Sequence, residues 1–347
     1  MQKSLTLPSQ LLIYAHENIK GKDILIIGGN EKEVEIALEQ NPASITFFNF
    51  DYSDQRTLAD QGIPEENNIF GDWYQPKVKH DSIIIYLPKS DALINMTLGM
   101  VNSFAMPGTY IYLVGEKNSG IKSQLKNLEK YIGPIEFKDS ARHSTLYLSK
   151  LSIPKISKDT LEKWIEEYHA EIKEVPLDLI SLPGVFSHGR LDEGTRMLLE
   201  TITVPTDAKI LDWGCGSGAI GLFIKKSEPS NSITLADSNA LAIAATKMTF
   251  DLNQLTTENI QVTNVFSDIK EKYDLIISNP PFHKGVKTNY ASVENFISQA
   301  KNHLNPGGKL IVVANIFLRY RPLLENSFQN CKLLKESKSY KIYQSVK

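Results

Sequence analysis

The stretch KILDWGCGSGAIGLFI, Lys209 to Ile224, is an apolar run that ends in an acid and then places glycine at 214, 216, 218 and 221. The β-branched run before the turn reads as a strand, and the apolar residues after it recur at helical spacing. Glycines in such a turn let backbone N–H groups approach a ligand closely at a helix N-terminus, with no Cβ in the way. Strand, glycine turn and helix in that order are the opening unit of a parallel α/β sheet.

Working outward, short apolar runs begin at 208 (AKILDWG), 232 (SITLADS), 273 (YDLIISNPP) and 307 (GGKLIVVAN). Amphipathic stretches separate them: GAIGLFIKKS, NALAIAATKMTFDLN, and VENFISQAKNHLNPGG with its Pro-Gly-Gly stop. The first half repeats the series as KDILIIGG, SITFFNFD, HDSIIIYLP and MPGTYIYLVG. The offset between the copies widens smoothly from about 186 to about 199 residues, the mark of an internal duplication with small insertions. The expected fold is therefore α/β: two tandem Rossmann-like domains with mostly parallel sheets and, from the run CKLLKESKSYKIYQSVK, a C-terminal antiparallel hairpin at the sheet edge. The copies differ where chemistry would sit. Ile26 stands for Asp212, Asn49 for Asp237, and Tyr86-Leu87-Pro88 for Asn279-Pro280-Pro281. One copy keeps a polar site and the other keeps the fold.

The 347 residues suit two domains, read as 1–155 and 156–347, with KISKDTLEKWIEEYHAEIKEVP supplying a linking helix over 158–173 that ends before Pro176. Two cysteines, Cys215 and Cys331, exclude a disulfide framework, and no histidine pair has metal-ligand spacing, so no metal is expected. No apolar run approaches the roughly 18 residues of a membrane span, and MQKSLTLPSQ lacks the core of a leader, which predicts a cytoplasmic protein with no membrane partner. Net charge is -2, excluding bulk attraction to polyanions. Residues 301–347 nonetheless carry 9 Lys and Arg against 2 Asp and Glu, whereas residues 1–150 carry 15 against 18. A local basic rim of Lys284, Lys287, Arg319, Arg321 and the lysines from 332 to 341 is the candidate surface for phosphates. His188, His283 and His303 read as loop or surface residues without a catalytic role.

Gly216-x-Gly218-x-x-Gly221 followed by Asp237 also matches a dinucleotide fingerprint. Asp212 and SNPPF (278–282) separate the two readings. A carboxylate before the first glycine repels pyrophosphate but tolerates a cationic amino-acid sulfonium, which favours S-adenosylmethionine bound by Asp212, Gly214, Gly216, Gly218, Asp237 and Ser238. In SNPPF two prolines fix the backbone and remove two donors, so Asn279 and the Pro280 carbonyl become rigid acceptors. Accepting both N–H bonds of a planar amine lets its lone pair localise toward the methyl group, while Phe282 stacks on the ring. Asn279, Pro280 and Phe282 are the catalytic candidates, and Asn279 borders the cofactor as well.

LDWGCGSG with Asp237 beyond it resembles the first two motifs of Rossmann-like methyltransferases. With LPGVFSHGRLDEGTRMLLETI (182–202), SNPPFH (278–283) and the decayed first copy, the whole chain is similar to the small-subunit ribosomal RNA guanine-N2 methyltransferases, the RsmC-type enzymes. The resemblance implies a guanine of 16S ribosomal RNA, free or in the small subunit, as substrate. It implies a first domain without cofactor that supports the fold and RNA contact. It also implies adenine contact at Asp268, in VFSD at the end of the third strand, and closure of Phe186, Leu191, Asp192 and Gly194 over the methionine end of the cofactor. The usual charged residues between FS and LD are here His188, Gly189 and Arg190. A monomer is expected. Asn-Pro-Pro with an aromatic also serves adenine-N6 and protein glutamine-N5 enzymes, and a large-subunit guanine-N2 enzyme shares this plan. A scaffold without turnover and a dehydrogenase are the readings from other classes.

Overall fold

The computed structural model describes residues 5–38, 44–153, 160–256, 259–280 and 287–347, the side chains of 287–292 excepted. The chain divides into two compact units, Met1–Trp164 and Ile165–Lys347. The first runs α1 (Leu7–Tyr14), β1 (Asp23–Ile27), α2 (Lys32–Leu38), β2 (Ser44–Asn49), α3 (Tyr52–Asp60), β3 (Asn68–Phe70), β4 (Ser82–Tyr86), α4 (Asp91–Phe104), β5 (Tyr110–Glu116), α5 (Leu125–Tyr131), β6 (Ile135–Ala141) and β7 (Ser144–Lys150). The second opens with β8 (Glu166–Ile172), β9 (Val175–Ser181) and α6 (Glu193–Thr201), then alternates β10 (Lys209–Trp213), α7 (Ala219–Ser227), β11 (Ser232–Asp237), α8 (Ala240–Leu252) and β12 (Ile260–Val262). It closes with β13 (Tyr273–Ser278), α9 (Lys287–Ala300), β14 (Leu304–Asn315), α10 (Tyr320–Phe328), β15 (Lys332–Glu336) and β16 (Tyr340–Val346).

The two large sheets have one order, β3-β2-β1-β4-β5-β7-β6 and β12-β11-β10-β13-β14-β16-β15, parallel up to the antiparallel hairpin at one edge. The duplication extends to register. Ile26 lies opposite Ile84 as Asp212 lies opposite Ile277, and the bond from Gly28 N to the Phe48 carbonyl (3.0 Å) recurs from Gly214 N to the Ala236 carbonyl (2.8 Å). Strand residues alternate between faces. Ile210 and Ile277 pack with Leu222 and Phe223 of α7, while Leu211 and Ile276 pack with Phe296 and Ile297 of α9. Loops at the carboxyl ends of β10, β11 and β13 therefore converge on one edge.

Two expectations are corrected. The linking helix over 158–173 does not form: Leu161–Trp164 is a single 3-10 turn and Glu166–Ile172 is a strand paired with Val175–Ser181. Its good helix formers yield to packing, since Ala170 and Ile172 of β8 alternate into the core on the side of α6 and Leu177 and Leu179 of β9 into it against α7 and α8, and Lys173 and Glu174 take positive φ (49° and 64°) to make the reversal. Residues 154–159 of the expected helix lie outside the described residues. Nor does Pro306-Gly307-Gly308 stop α9, which ends at Ala300. The glycines lie inside β14, where the pairing with β13 jumps from Tyr273–Leu304 to Leu275–Lys309. A Cβ on Gly308 would lie 2.8 Å from the Asn305 carbonyl, so the bulge requires glycine there.

One buried group ties β10 to α7. Asp212 is fully buried, and its Oδ2 accepts from Gly221 N at 3.0 Å. Burial pushes its carboxyl up to about 7, the Asp237 charge adding to the rise and the Gly221 bond opposing it. The folded chain thus holds a proton that the unfolded chain releases above about pH 4. The associated stability is complete below that pH and lost as pH rises through about 7. Asp212→Asn cannot ionise and is expected to remove this loss, so the melting temperature of the wild type should fall relative to the variant between about pH 4 and pH 8. A difference between the two that stays constant with pH would contradict the buried, protonated carboxyl.

Candidate active site

The glycine turn is open above and fully bonded below. Gly214 and Gly216 have positive φ (72° and 57°), a conformation that penalises side chains. A Cβ built on Gly214 would meet nothing within 4 Å, and one on Gly216 only Val185, at 4.0 Å. Gly221 is required for a different reason, because its Cβ would lie 2.3 Å from Leu235 and push α7 off β11. The N–H groups of Gly214 and Cys215 both donate to the Ala236 carbonyl (2.8 and 3.0 Å), and that of Gly218 donates to the Cys215 carbonyl (2.8 Å). Gly216 N donates to Asp237 Oδ2 (3.0 Å) and Gly221 N to Asp212 Oδ2. Five donors of the turn are thereby engaged within the protein, so these glycines supply clearance more than hydrogen bonds. Burial raises the Cys215 thiol well above its usual value, with Asp237 and Asp212 adding to it, which leaves it protonated and inert.

Asp237, at the carboxyl end of β11, is half-buried and accepts from Gly216 N on Oδ2 and from Asn239 N on Oδ1 (2.9 Å). These bonds hold the carboxylate beside the turn, with Ser238 next to it. Asp268 is placed differently from the expectation. The third strand, β12, ends at Val262, and Asp268 follows six positions later in an exposed loop, its carboxylate bonded to Ser267 Oγ. The loop turns at Val265, which has positive φ (59°), so VFSD is not a strand end.

Asn279 follows β13 and is buried. Its Nδ2 donates to Asp192 Oδ2 and to Thr195 Oγ1, each at 2.8 Å, while its Oδ1 has no partner among the described residues. Asp192 caps α6, its Oδ2 also accepting from Thr195 N at 3.0 Å. Tyr340, at the start of β16, bonds to the same carboxylate; burial, then the Asp192 and Glu193 charges, raise its phenol. Gly194 is needed beneath it, since a Cβ there would lie 2.9 Å from Asp192 Oδ2 and 3.0 Å from the Tyr340 ring. Ser278 Oγ donates to the Trp213 carbonyl at 2.7 Å, fixing the end of β13 to that of β10, and Pro280 is buried next to it. Phe282, His283 and Lys284 lie outside the described residues, as does the side chain of Lys287.

The segment before α6 reaches the turn through Val185, with half-buried Phe186 following. His188 holds it to the β8–β9 hairpin, its Nδ1 bonded to Ser181 Oγ (2.8 Å) and its Nε2 to Glu166 (3.1 Å). Gly189 packs so closely on Glu166 that a Cβ would come within 2.5 Å of Oε1. Sequence reading missed Thr195, the bond of Tyr168 to Ser217 at the turn (3.0 Å), and a run of stacked rings, Trp213–Phe296–Phe266–His303, with neighbouring centroids 4.0, 5.6 and 4.2 Å apart. His303 thus has a packing role. Of the rim, Arg319 and Arg321 are exposed and flank the start of α10; Arg321 pairs with Glu325 at 2.8 Å and Lys341 with Glu336 at 3.2 Å. Cavities of about 210 Å³ beside His80 and beside Trp73 belong to the first unit and do not include this site. Among the described residues no group of three or more His, Cys, Asp and Glu could hold a metal ion, and no helix is long and apolar enough to cross a membrane.

Comparison with known proteins matches these parts. Residues 176–344 fit the Methyltransferase small domain and residues 9–168 the Methyltransferase small domain N-terminal. Ribosomal RNA small subunit methyltransferase C of Psychromonas ingrahamii is 39% identical over 98% of this chain and 96% of its own length. Its counterpart in Vibrio parahaemolyticus is 36% identical over 98% of each. In architecture the chain is similar to the T. thermophilus 16S rRNA N2 G1207 methyltransferase (RsmC), solved in complex with AdoMet and guanosine, with a TM-score of 0.84, 21% identity and coverage of 100% of this chain and 93% of that one. Duplicated sheets, an open glycine turn and an amide held at the end of β13 thus coincide with full-length identity above one third: this chain belongs to the ribosomal RNA small subunit methyltransferase C family.

Proposed function

We propose that this chain transfers a methyl group from S-adenosylmethionine to the exocyclic N2 amine of a guanine in 16S ribosomal RNA. The observation that carries the reading is the Asn279 amide, whose two N–H groups are occupied and whose buried Oδ1 lacks a partner among the described residues. An unpaired buried carbonyl is costly, and an amine N–H supplies what it lacks. The cofactor fits the clearance over Gly214 and Gly216, with Asp237 and Ser238 placed for its ribose and the 182–192 segment beside it. When bound, it supplies an electrophilic methyl group on a sulfonium.

The chain's own residues do the rest. Asn279 Oδ1 and the Pro280 carbonyl accept the two N–H bonds of the neutral amine, so its lone pair is free to point at the methyl group. The proton leaves during or after transfer, and no strong base is required. Alignment of this kind is worth about 7–11 kcal/mol of barrier. Stacking on Phe282 adds about 1–3 kcal/mol per base. The position modified in the structural neighbour, G1207, is the first nucleotide to test. We assign cofactor binding to the second half only. In the first copy the Tyr86 ring occupies the space over the turn, so close that a Cβ on Gly29 would lie 2.8 Å from it, and Ile26 replaces the acid. That half then supplies shape and RNA contact. The protein acts as a monomer in the cytoplasm.

Asn279→Ala is expected to abolish methyl transfer, while leaving S-adenosylmethionine affinity within a few fold by calorimetry. Asp237→Ala is expected to weaken the cofactor first. Turnover of Asn279→Ala within tenfold of wild type would refute the amine geometry. Modification of an adenine or of a protein glutamine, mapped by mass spectrometry, would move the same site to another substrate.

RNA is held by the rim of Lys284, Lys287, Arg319 and Arg321. Each phosphate contact removed lowers the slope of log affinity against log salt by about 1. Neutralising all four should reduce that slope by about two or more, with cofactor affinity unchanged. Arg321 contributes less than a free cation because Glu325 shares its charge. An unchanged slope would transfer the RNA surface to the first unit.

A further inference from the structure

We propose that Asp192 and Thr195, on the first turn of α6, are positioning residues that fix the Asn279 amide with its N–H groups inward and its carbonyl toward the reacting amine. The inference rests on the reading that Asn279 Oδ1 accepts from that amine. A primary amide is nearly symmetric in shape, so packing alone does not decide which end faces out. The wrong end would present two donors to an amine that must itself donate.

Chemistry at Asp192 removes the ambiguity. An ionised carboxylate accepts hydrogen bonds and cannot donate one, so Oδ2 at 2.8 Å selects the NH2 end of Asn279. Flipping the amide would set two acceptor oxygens against each other inside the protein. Thr195 Oγ1 takes the second N–H, also at 2.8 Å, which leaves the NH2 group with both protons engaged. The same Oδ2 caps α6 through Thr195 N, and Tyr340 bonds to the carboxylate from β16. The carboxylate is therefore held by two elements while it holds a third. Gly194 permits the arrangement by leaving room for both the Asp192 oxygen and the Tyr340 ring.

A purely structural role for Asp192, capping α6, makes a different prediction from a positioning role. Serine caps a helix about as well as aspartate but has a shorter reach. Asp192→Ser and the isosteric Thr195→Val should each lower the single-turnover rate of methyl transfer by about tenfold or more, comparable to misplacing a reacting group. Affinity for RNA should stay within a few fold, and any loss of affinity for S-adenosylmethionine should be smaller than the loss of rate. Thr195→Ser, which keeps the hydroxyl, should retain the wild-type rate within a few fold, whereas Asp192→Asn, whose amide can also donate and so no longer excludes the flipped Asn279, should fall between wild type and Asp192→Ser. Wild-type rates in Asp192→Ser and Thr195→Val, with Asn279→Ala inactive, would overturn the positioning role and leave the acceptor reading intact. A fall in cofactor affinity that matches the fall in rate would also overturn it. An active Asn279→Ala would overturn the acceptor reading itself. Should Thr195→Val fail to fold, the Asp192→Ser and Asp192→Asn pair decides the question.

Discussion

A carboxylate cannot donate a hydrogen bond, and at Asp192 that constraint gives direction to an otherwise ambiguous site. Oδ2 receives the N–H of Thr195 and an N–H of Asn279, and so joins the start of α6 to the end of β13. The bond needs both ends in place. β13 is fixed by its parallel pairing to β10 and by Ser278 on the Trp213 carbonyl, and α6 packs against β14 and β16. Asp212 secures the other wall, holding α7 to β10 from a buried position. The sheet thus serves as a jig in which two acids set the positions of the groups around them.

The first copy shows what the same backbone does when those demands are absent. Strand order, register and the Gly28 bond to Phe48 are retained, while the acids at the strand ends are replaced by Ile26 and Asn49. Asn49, the counterpart of Asp237, donates to the Gly29 carbonyl, whereas Asp237 accepts from Gly216 N. Tyr86, the counterpart of Asn279, turns its ring over the turn and bonds Ser9 of α1 at 2.7 Å. Its phenol is raised by burial, as befits a core residue. Filling the site with an aromatic ring exchanges ligand clearance for packed apolar surface, worth about 25 cal/mol per Å².

Much of this was legible in the sequence because it rests on local pattern. The eight main strand positions, the duplication, the C-terminal hairpin and the turn at Gly214–Gly221 follow from apolar periodicity and glycine spacing. Features decided by distant partners were not legible. Glu166–Ile172 is composed of helix formers and becomes a strand because it pairs with β9 and because Ala170 and Ile172 join the core that includes Leu198 and Leu199 of α6. Pro306-Gly307-Gly308 has the composition of a helix stop, yet serves as a bulge within β14. Asp268 lies in a loop and not at a strand end because the strand ahead of it is only three residues long. Thr195 carried no signal at all, since its contact lies 84 residues away. The glycines were found, but not the destinations of their four N–H groups, which, like that of Cys215, end inside the protein.

The central claim concerns the direction of one amide, and a structure of the chain with S-adenosylmethionine and guanosine tests it most directly. The account predicts the guanine N2 amine within about 3.2 Å of Asn279 Oδ1, with Nδ2 still bonded to Asp192 and Thr195. An amine bonded instead to a carboxylate, or lying out of reach of Asn279, would contradict it.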